Sequence, residues 1–296
     1  MTVQPLDQEV DGSEQSPPPY LNAAIHNSFL GGFFVVKLYH LAFSLCLLVL
    51  IPIASAQTSA PNYHLVSNLQ KQKGWASYVL LAPSWGICTS CSSTSPSVNW
   101  SRTPFVSSPS LSGAATNHHI GGTHPFADIL WNNHIIGNFS SQGIYDTKHT
   151  LVPRLHNFVY DVYFYAKNIS ASQAIEFDIN QFIAPKGFIW GHECRIAGGH
   201  EWDTYDDVHK KWAPTGIPCY PKNNAWNHLV IQVARTSTNQ LLYKSITLNG
   251  VKHNVNITRP PGTTSWNAVT INYQQDGNRT MAGYSIWLDR LNFSYW

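Results

Sequence analysis

The sequence predicts an all-β protein built as a two-sheet sandwich or barrel, and three observations carry that reading. From Gln57 onward no segment keeps a helical 3.6-residue apolar period. Short alternating or apolar runs recur instead, with turn-forming residues between them. Two of the dividers are hairpin signals: Asn249-Gly250, between Leu241–Leu248 and Val251–Ile257, and Gly198-Gly199, between Cys194–Ala197 and Glu201–Tyr205. Both pairs tolerate the positive φ that tight hairpin turns require.

In chain order, the first element is an export signal. Leu41–Ile53 is an apolar run preceded by Lys37 and followed by Ala54-Ser55-Ala56, a small-x-small cleavage pattern before Gln57. The run is shorter than the roughly 20 apolar residues a membrane helix needs, so cleavage is favoured over anchoring. Residues 1–36 hold four acids, a triple proline and no Lys or Arg, unlike a signal n-region. With Met1 and Met281 the only methionines, a start near Leu30–Val36 at a non-ATG codon accounts for this. The expected organisation is therefore an N-terminal extension and signal peptide over 1–56 and one β-sandwich domain over 57–296.

Residues 57–125 read as loop-rich, with short strands at Tyr78–Leu81 and near His119. The clearest strands fall in 150–296. They begin at Phe158–Tyr165, 174–180, 187–196, Trp202–Tyr205 and Trp212–Ile217. Leu229–Arg235, Leu241–Leu248, Val269–Tyr273 and Tyr284–Tyr295 complete the set.

Composition narrows the function. Charged residues make up 11% and aromatics 13%, and the net charge of +2 is spread without a basic block, which argues against nucleic acid as a partner. Eleven Trp suit either a sandwich core or a surface that stacks on sugar rings. Once Cys46 leaves with the signal, Cys88, Cys91, Cys194 and Cys219 remain, an even set fitting an oxidising compartment. The favoured pairing is Cys88–Cys91 with Cys194–Cys219. A redox CxxC lacks its βαβ setting here, and a zinc site of Cys88, Cys91, His192 and Cys194 lacks a second CxxC.

The strand Ala174–Asn180 carries the chemistry. Strict alternation puts Ile175, Phe177 and Ile179 on one face and Glu176, Asp178 and Asn180 on the other. Paired carboxylates serve as acid and base on a glycosidic bond or as hard oxygen ligands, with a calcium ion the one cofactor the pattern admits. If the turn at Ala184-Pro185 pairs this strand with 188–196 so that Glu176 faces Glu193, two carboxyls share a face, with Arg195 nearby. A slip of one residue sets Asp178 against His192 and favours a metal. The first register is preferred, because it keeps Trp190, His192, Cys194 and Ile196 on the core side and avoids burying Glu193 unpaired. Glu201–Asp207 is a second acidic and aromatic cluster, read as a sugar-binding edge, a calcium site or a solvated hairpin.

The order Ala174-Ile175-Glu176-Phe177-Asp178, Trp226-Asn227-His228, Leu241–Gly250, Thr270–Gln274 and Ser285–Asp289 resembles the concanavalin A-like lectin and glucanase superfamily, with closing strands similar to laminin-G modules. With Trp75, the CxxC and Gly191–Cys194 included, the chain from Gln57 resembles secreted bacterial proteins of that type, a likeness that implies a fold and no activity. The resemblance implies an antiparallel jelly-roll sandwich. By the legume-lectin pattern Glu176, Asp178 and His192 would hold a metal. By the glucanase pattern Glu176 and Asp178 would be catalytic, but Asn180 and Gln181 stand where a second Glu belongs, so Glu193 must complete the pair. The resulting expectation is a secreted or periplasmic carbohydrate-binding protein whose partner is a polysaccharide or glycan. Arg195 and Asp203 would lie in its site, with Trp190 or Trp202 as platforms, and no membrane contact would remain after cleavage. The alternatives are a glycoside hydrolase acting through Glu176, Asp178 and Glu193, and a structural or adhesive surface protein.

Overall fold

A computed structural model of the chain describes residues 63–80 and 97–296. The signal segment, and Cys88 and Cys91 with their expected bridge, lie outside the described residues. Seventeen strands and three short 3-10 turns make up the described part, with no α-helix among its residues. The strands are β1 (His64–Val66), β2 (Trp75–Leu80), β3 (Val98–Val106), β4 (Ala115–Gly122), β5 (Asp128–Gly137), β6 (Asn157–Lys167), β7 (Ser172–Ile183), β8 (Lys186–Trp190) and β9 (His192–Arg195). They continue as β10 (Glu201–Asp206), β11 (Lys211–Pro218), β12 (Ala225–Arg235), β13 (Leu241–Leu248), β14 (Val251–Arg259), β15 (Gly262–Thr263), β16 (Asn267–Gly277) and β17 (Tyr284–Tyr295).

All ladders are antiparallel and form two sheets. One runs β14-β13-β12-β6-β17-β4-β3, with β1 added to β17. The other runs β11-β10-β9-β7-β16-β5-β2, with β8 extending the β9 side of β7 and carrying β15. The sheets face each other across an aromatic layer: Phe164 and Tyr160 of the first meet Phe177 of the second at 5.6 and 5.9 Å, and Phe158 meets Trp190 at 5.5 Å. This is the antiparallel jelly-roll sandwich that the sequence predicts.

Asn249-Gly250 forms the β13–β14 hairpin with φ of 52° and 84°. Gly198-Gly199 turns β9 into β10. The differences lie before residue 150, where β3 and β5 are full strands with no sequence counterpart. In β5 the run Asn132-Asn133-His134 interrupts the apolar pattern because Asn133, fully buried, bonds to the Lys73 carbonyl and to Gln142, while Asn132 and His134 line a cleft on the other face.

Cys194 and Cys219 are bonded, with Cα atoms 5.7 Å apart, and tie β9 to the segment after β11. The bridge removes the zinc alternative, since the Cys194 sulfur is already used. Closing this loop restricts the unfolded chain by about 3 kcal/mol. The double variant C194S/C219S is expected to lose stability on that scale in urea unfolding monitored by tryptophan fluorescence; an unchanged midpoint would show the bridge to be thermodynamically silent.

Candidate functional site

The β7 alternation is realised in full. Ile175, Phe177 and Ile179 are completely buried in the inter-sheet core, while Glu176, Asp178 and Asn180, with 6, 6 and 4% of their surface exposed, line a cleft of about 560 Å³ on the opposite face. The two-residue turn Ala184-Pro185 pairs Ile183 with Lys186, and the same register carried back along the strands sets Glu176 against Glu193. Opposed residues project to one side of a sheet, so polar side chains align in rows across the strands. One row runs Asp203, Glu193, Glu176, Gln274, Leu130 and Tyr78. The next runs Asp178, Asn272 and Asn132, and a third Asn180, Thr270 and His134.

Hydrogen bonds run along these rows. The Gln274 amide donates to Glu176 at 2.6 Å and to Asp276 at 2.9 Å. Asn272 donates to Asp178 at 3.1 Å and accepts from Asn132 at 2.6 Å, and the His192 backbone N–H reaches the other Asp178 oxygen. Glu193 lines the cleft without a hydrogen bond from any described residue.

Burial and mutual repulsion together raise the cleft carboxyls. Burial is the larger cause for Glu176, reinforced by Asp276, Asp178 and Glu193, and its pKa sits well above the usual range. Glu193 is pushed up likewise by burial and by Asp276 and Asp203, against the pull of Arg195. Asp128 is raised by burial and by Asp276. Burial takes Asp178 to about 6, moderated by Asn272, and Asp276 to about 7, moderated by Gln274 and Glu176.

Aromatic rings border the floor. Gly191 makes room for two of them: a Cβ there would lie 2.7 Å from the Tyr205 Cβ and 3.0 Å from the Trp212 ring. Tyr205 and Trp212 are in ring contact at 5.3 Å. Trp266 packs on Phe182 and His134 at another border, and all three line the cleft. Each of Tyr78, Trp212 and Trp266 keeps part of its surface exposed.

Several expected site residues lie elsewhere. Trp190 and Trp202 are not platforms: with 0 and 1% exposed they belong to the inter-sheet core, where strand parity places them beside Cys194. His192 shares that core side, donating from Nδ1 to the Trp190 carbonyl and packing on Tyr243, with burial lowering its pKa to about 4. It therefore points away from Glu176 and Asp178, and the three cannot share a metal. No three His, Cys, Asp or Glu side chains among the described residues converge as a metal requires, and both Asp178 oxygens already accept hydrogen bonds. These residues do not fit the calcium ion.

Arg195 and Asp203 stand on the cleft side of the sheet but are bound to each other at 3.0 Å, with Glu201 on the same guanidinium. The rest of the 201–207 cluster is also committed: Asp206 to His209 and Arg259, Asp207 to Lys210. Gln181, which replaces the glucanase glutamate, faces inward, where its amide donates to the carbonyls of Val152 and Leu155 and its oxygen accepts from Arg235.

Sequence reasoning missed Asn132, Asn272, Gln274, Asp128, Asp276 and the bordering Trp212 and Trp266. Some of the signal was present: Thr270, Asn272, Gln274 and Asp276 alternate with Val269, Ile271 and Tyr273, the same half-polar pattern as β7.

No family model matches the chain, and neither does any curated protein. Among solved structures it is similar to a cellulose-induced protein, Cip1, at 11% identity and a TM-score of 0.43, covering 77% of this chain and 96% of that one. Peanut lectin follows at 12% identity and 0.36, covering 75% and 97%. A structure of carbohydrate-binding modules from the β-sandwich superfamily stands at 8% and 0.33, covering 74% of this chain and 56% of the other. The second of these is named a lectin and the third carbohydrate-binding modules. Similarity this distant assigns neither a ligand nor an activity.

Because the folded state raises the cleft carboxyls above their unfolded value of about 4, it holds more protons than the unfolded chain between about pH 4 and 7. Stability therefore falls as pH rises through that window. Below it, Asp146, Asp206 and Asp289, held low by hydrogen-bond donors against the cost of burial, lose their contribution. The unfolding temperature is expected to peak at about pH 4 to 5 and to decline toward neutrality, with a flatter decline in D276N. A temperature that climbs steadily to about pH 8 would contradict the crowded-carboxyl geometry.

Proposed function

We propose that the protein binds carbohydrate in the cleft over β7, β9 and β16, as an exported protein that acts outside the cytoplasm. The observation that carries this reading is the pairing of a floor of aligned carboxyl and amide groups with partly exposed aromatic rings at its borders. Sugar rings present hydroxyls to such polar groups and apolar C–H faces to such rings. Export is supported by the Cys194–Cys219 bridge, which suits an oxidising compartment, and by the signal pattern before Gln57.

One observation favours hydrolysis as a second reading. Glu176 and Glu193 are directly opposed on neighbouring strands, which brings Cβ atoms to about 5 Å and the carboxyls within the range of retaining glycosidases. In that reading Glu193, without a hydrogen bond from any described residue and raised by burial, is the proton donor. Glu176, oriented by Gln274, is the nucleophile in its ionised form, which the Gln274 amide stabilises against burial and the neighbouring Asp276 and Asp178.

The test uses the purified full chain against plant, fungal and bacterial polysaccharides, scoring both binding and release of reducing ends. Binding is expected, and Trp212→Ala is expected to weaken it about tenfold, the scale of one lost ring-stacking contact. Reducing-end release that vanishes in Glu176→Gln would establish the hydrolase reading. Absence of binding to every polysaccharide would overturn both.

A further inference from the structure

With its carboxyls ionised, the floor of the cleft is rich in hydrogen-bond acceptors and short of cations. Among the described residues five carboxyls line it, those of Asp128, Glu176, Asp178, Glu193 and Asp276, against a single ammonium, Lys210. That ammonium is held 2.7 Å from Asp207. The nearby Arg195 guanidinium is taken up by Glu201, Asp203 and the Gly198 carbonyl. Burial lowers the pKa of His134, the one lining histidine among the described residues.

The floor amides donate to their neighbours on the sheet. Gln274 serves Glu176 and Asp276, Asn272 serves Asp178, Asn132 serves Asn272, and Asn180 serves Thr270. Buried acceptor capacity remains. The Oδ1 atoms of Asn132 and Asn180, in residues only 4% exposed, have no partner. The Glu193 carboxyl, 8% exposed, has none among the described residues either. Buried acceptors without donors are costly, and a ligand that supplies donors relieves that cost.

A hydroxyl brings one proton together with two lone pairs, whereas an ammonium brings three protons and no lone pair. It also brings a positive charge against which Glu176 and Glu193, held protonated in the free protein by burial and by their acidic neighbours, release their protons and accept its hydrogen bonds. We propose that the carbohydrate bound in this cleft carries free amino groups, as an unacetylated glucosamine polymer does, with an ammonium seated among Glu193, Glu176 and Asp178. This rests on the carbohydrate reading above. A sugar is preferred to a basic peptide because the rings of Trp212 and Trp266 at the borders present flat faces to pyranose rings, and the flexible stems of lysines would leave them unused.

The test is calorimetric titration of the full chain at about pH 6 with hexamers of glucosamine, N-acetylglucosamine and glucose, and with hexalysine. The glucosamine hexamer is expected to bind at least about tenfold more tightly than the other two sugars, the scale of one charge-assisted hydrogen bond. That margin is expected to shrink in Glu193→Gln, whose folding is checked by its unfolding temperature. Equal affinity for the three sugars would overturn the amino-sugar assignment while leaving the carbohydrate reading in place, and failure to bind any sugar would overturn both. Hexalysine binding as tightly as the glucosamine hexamer would replace the sugar with a basic peptide. The wild-type comparison decides the matter even if the variant does not fold.

Discussion

Side chains on a strand alternate with a period of two, so the register of β7 against β16 and β9 decides what faces the core and what faces the cleft. A slip of one residue would carry Glu176, Asp178 and Asn180 into a core made of Tyr160, Phe164 and Tyr273, and expose Ile175, Phe177 and Ile179. Burying three polar side chains among aromatic rings without partners costs several kcal/mol, which makes the register strongly specified. The two-residue turn at Ala184-Pro185 and the bond from Gln181 to Arg235 hold it from the far end of β7. The cleft rows, the opposition of Glu176 and Glu193 and the inward turn of His192 all follow from this one alignment.

The same alignment concentrates like charges. Carboxyls brought together at low exposure either take up protons or acquire donors, and here both occur. Gln274 and Asn272 supply the donors, while Glu176, Glu193 and Asp128 hold protons above the usual carboxylate range. A site arranged in this way is less stable than an apolar one of the same shape. Clusters of perturbed groups of this kind gather where ligands bind or chemistry occurs more than where a fold is merely held together.

The strands after residue 150 were legible because each has one face in the core and one outside it, which writes a period of two into the sequence. That legibility extended to the Glu176–Glu193 register and to the Cys194–Cys219 pair. It failed at β5, where a polar Asn133 is fully buried and an apolar Leu130 lines the cleft beside Asn132, so the apolar count gives no alternation. It failed again for Trp190 and Trp202, since a tryptophan in a strand reads identically whether it fills a core or lines a groove. Parity supplies the answer, because both lie in step with Cys194. The bordering Trp212 and Trp266 were illegible for a different reason: Trp212 reaches the cleft only because Gly191, two strands away, has no side chain. Polar partners such as Gln274 and Asn132 come from strands far apart in sequence, and their meeting is a property of sheet order alone.

The most direct measurement is a crystal structure of the full chain with a bound oligosaccharide. The account predicts sugar density lying over the Glu193–Glu176–Gln274 row with a ring against Trp212 or Trp266. Density seated on the other sheet, or on loops away from β7, would contradict it.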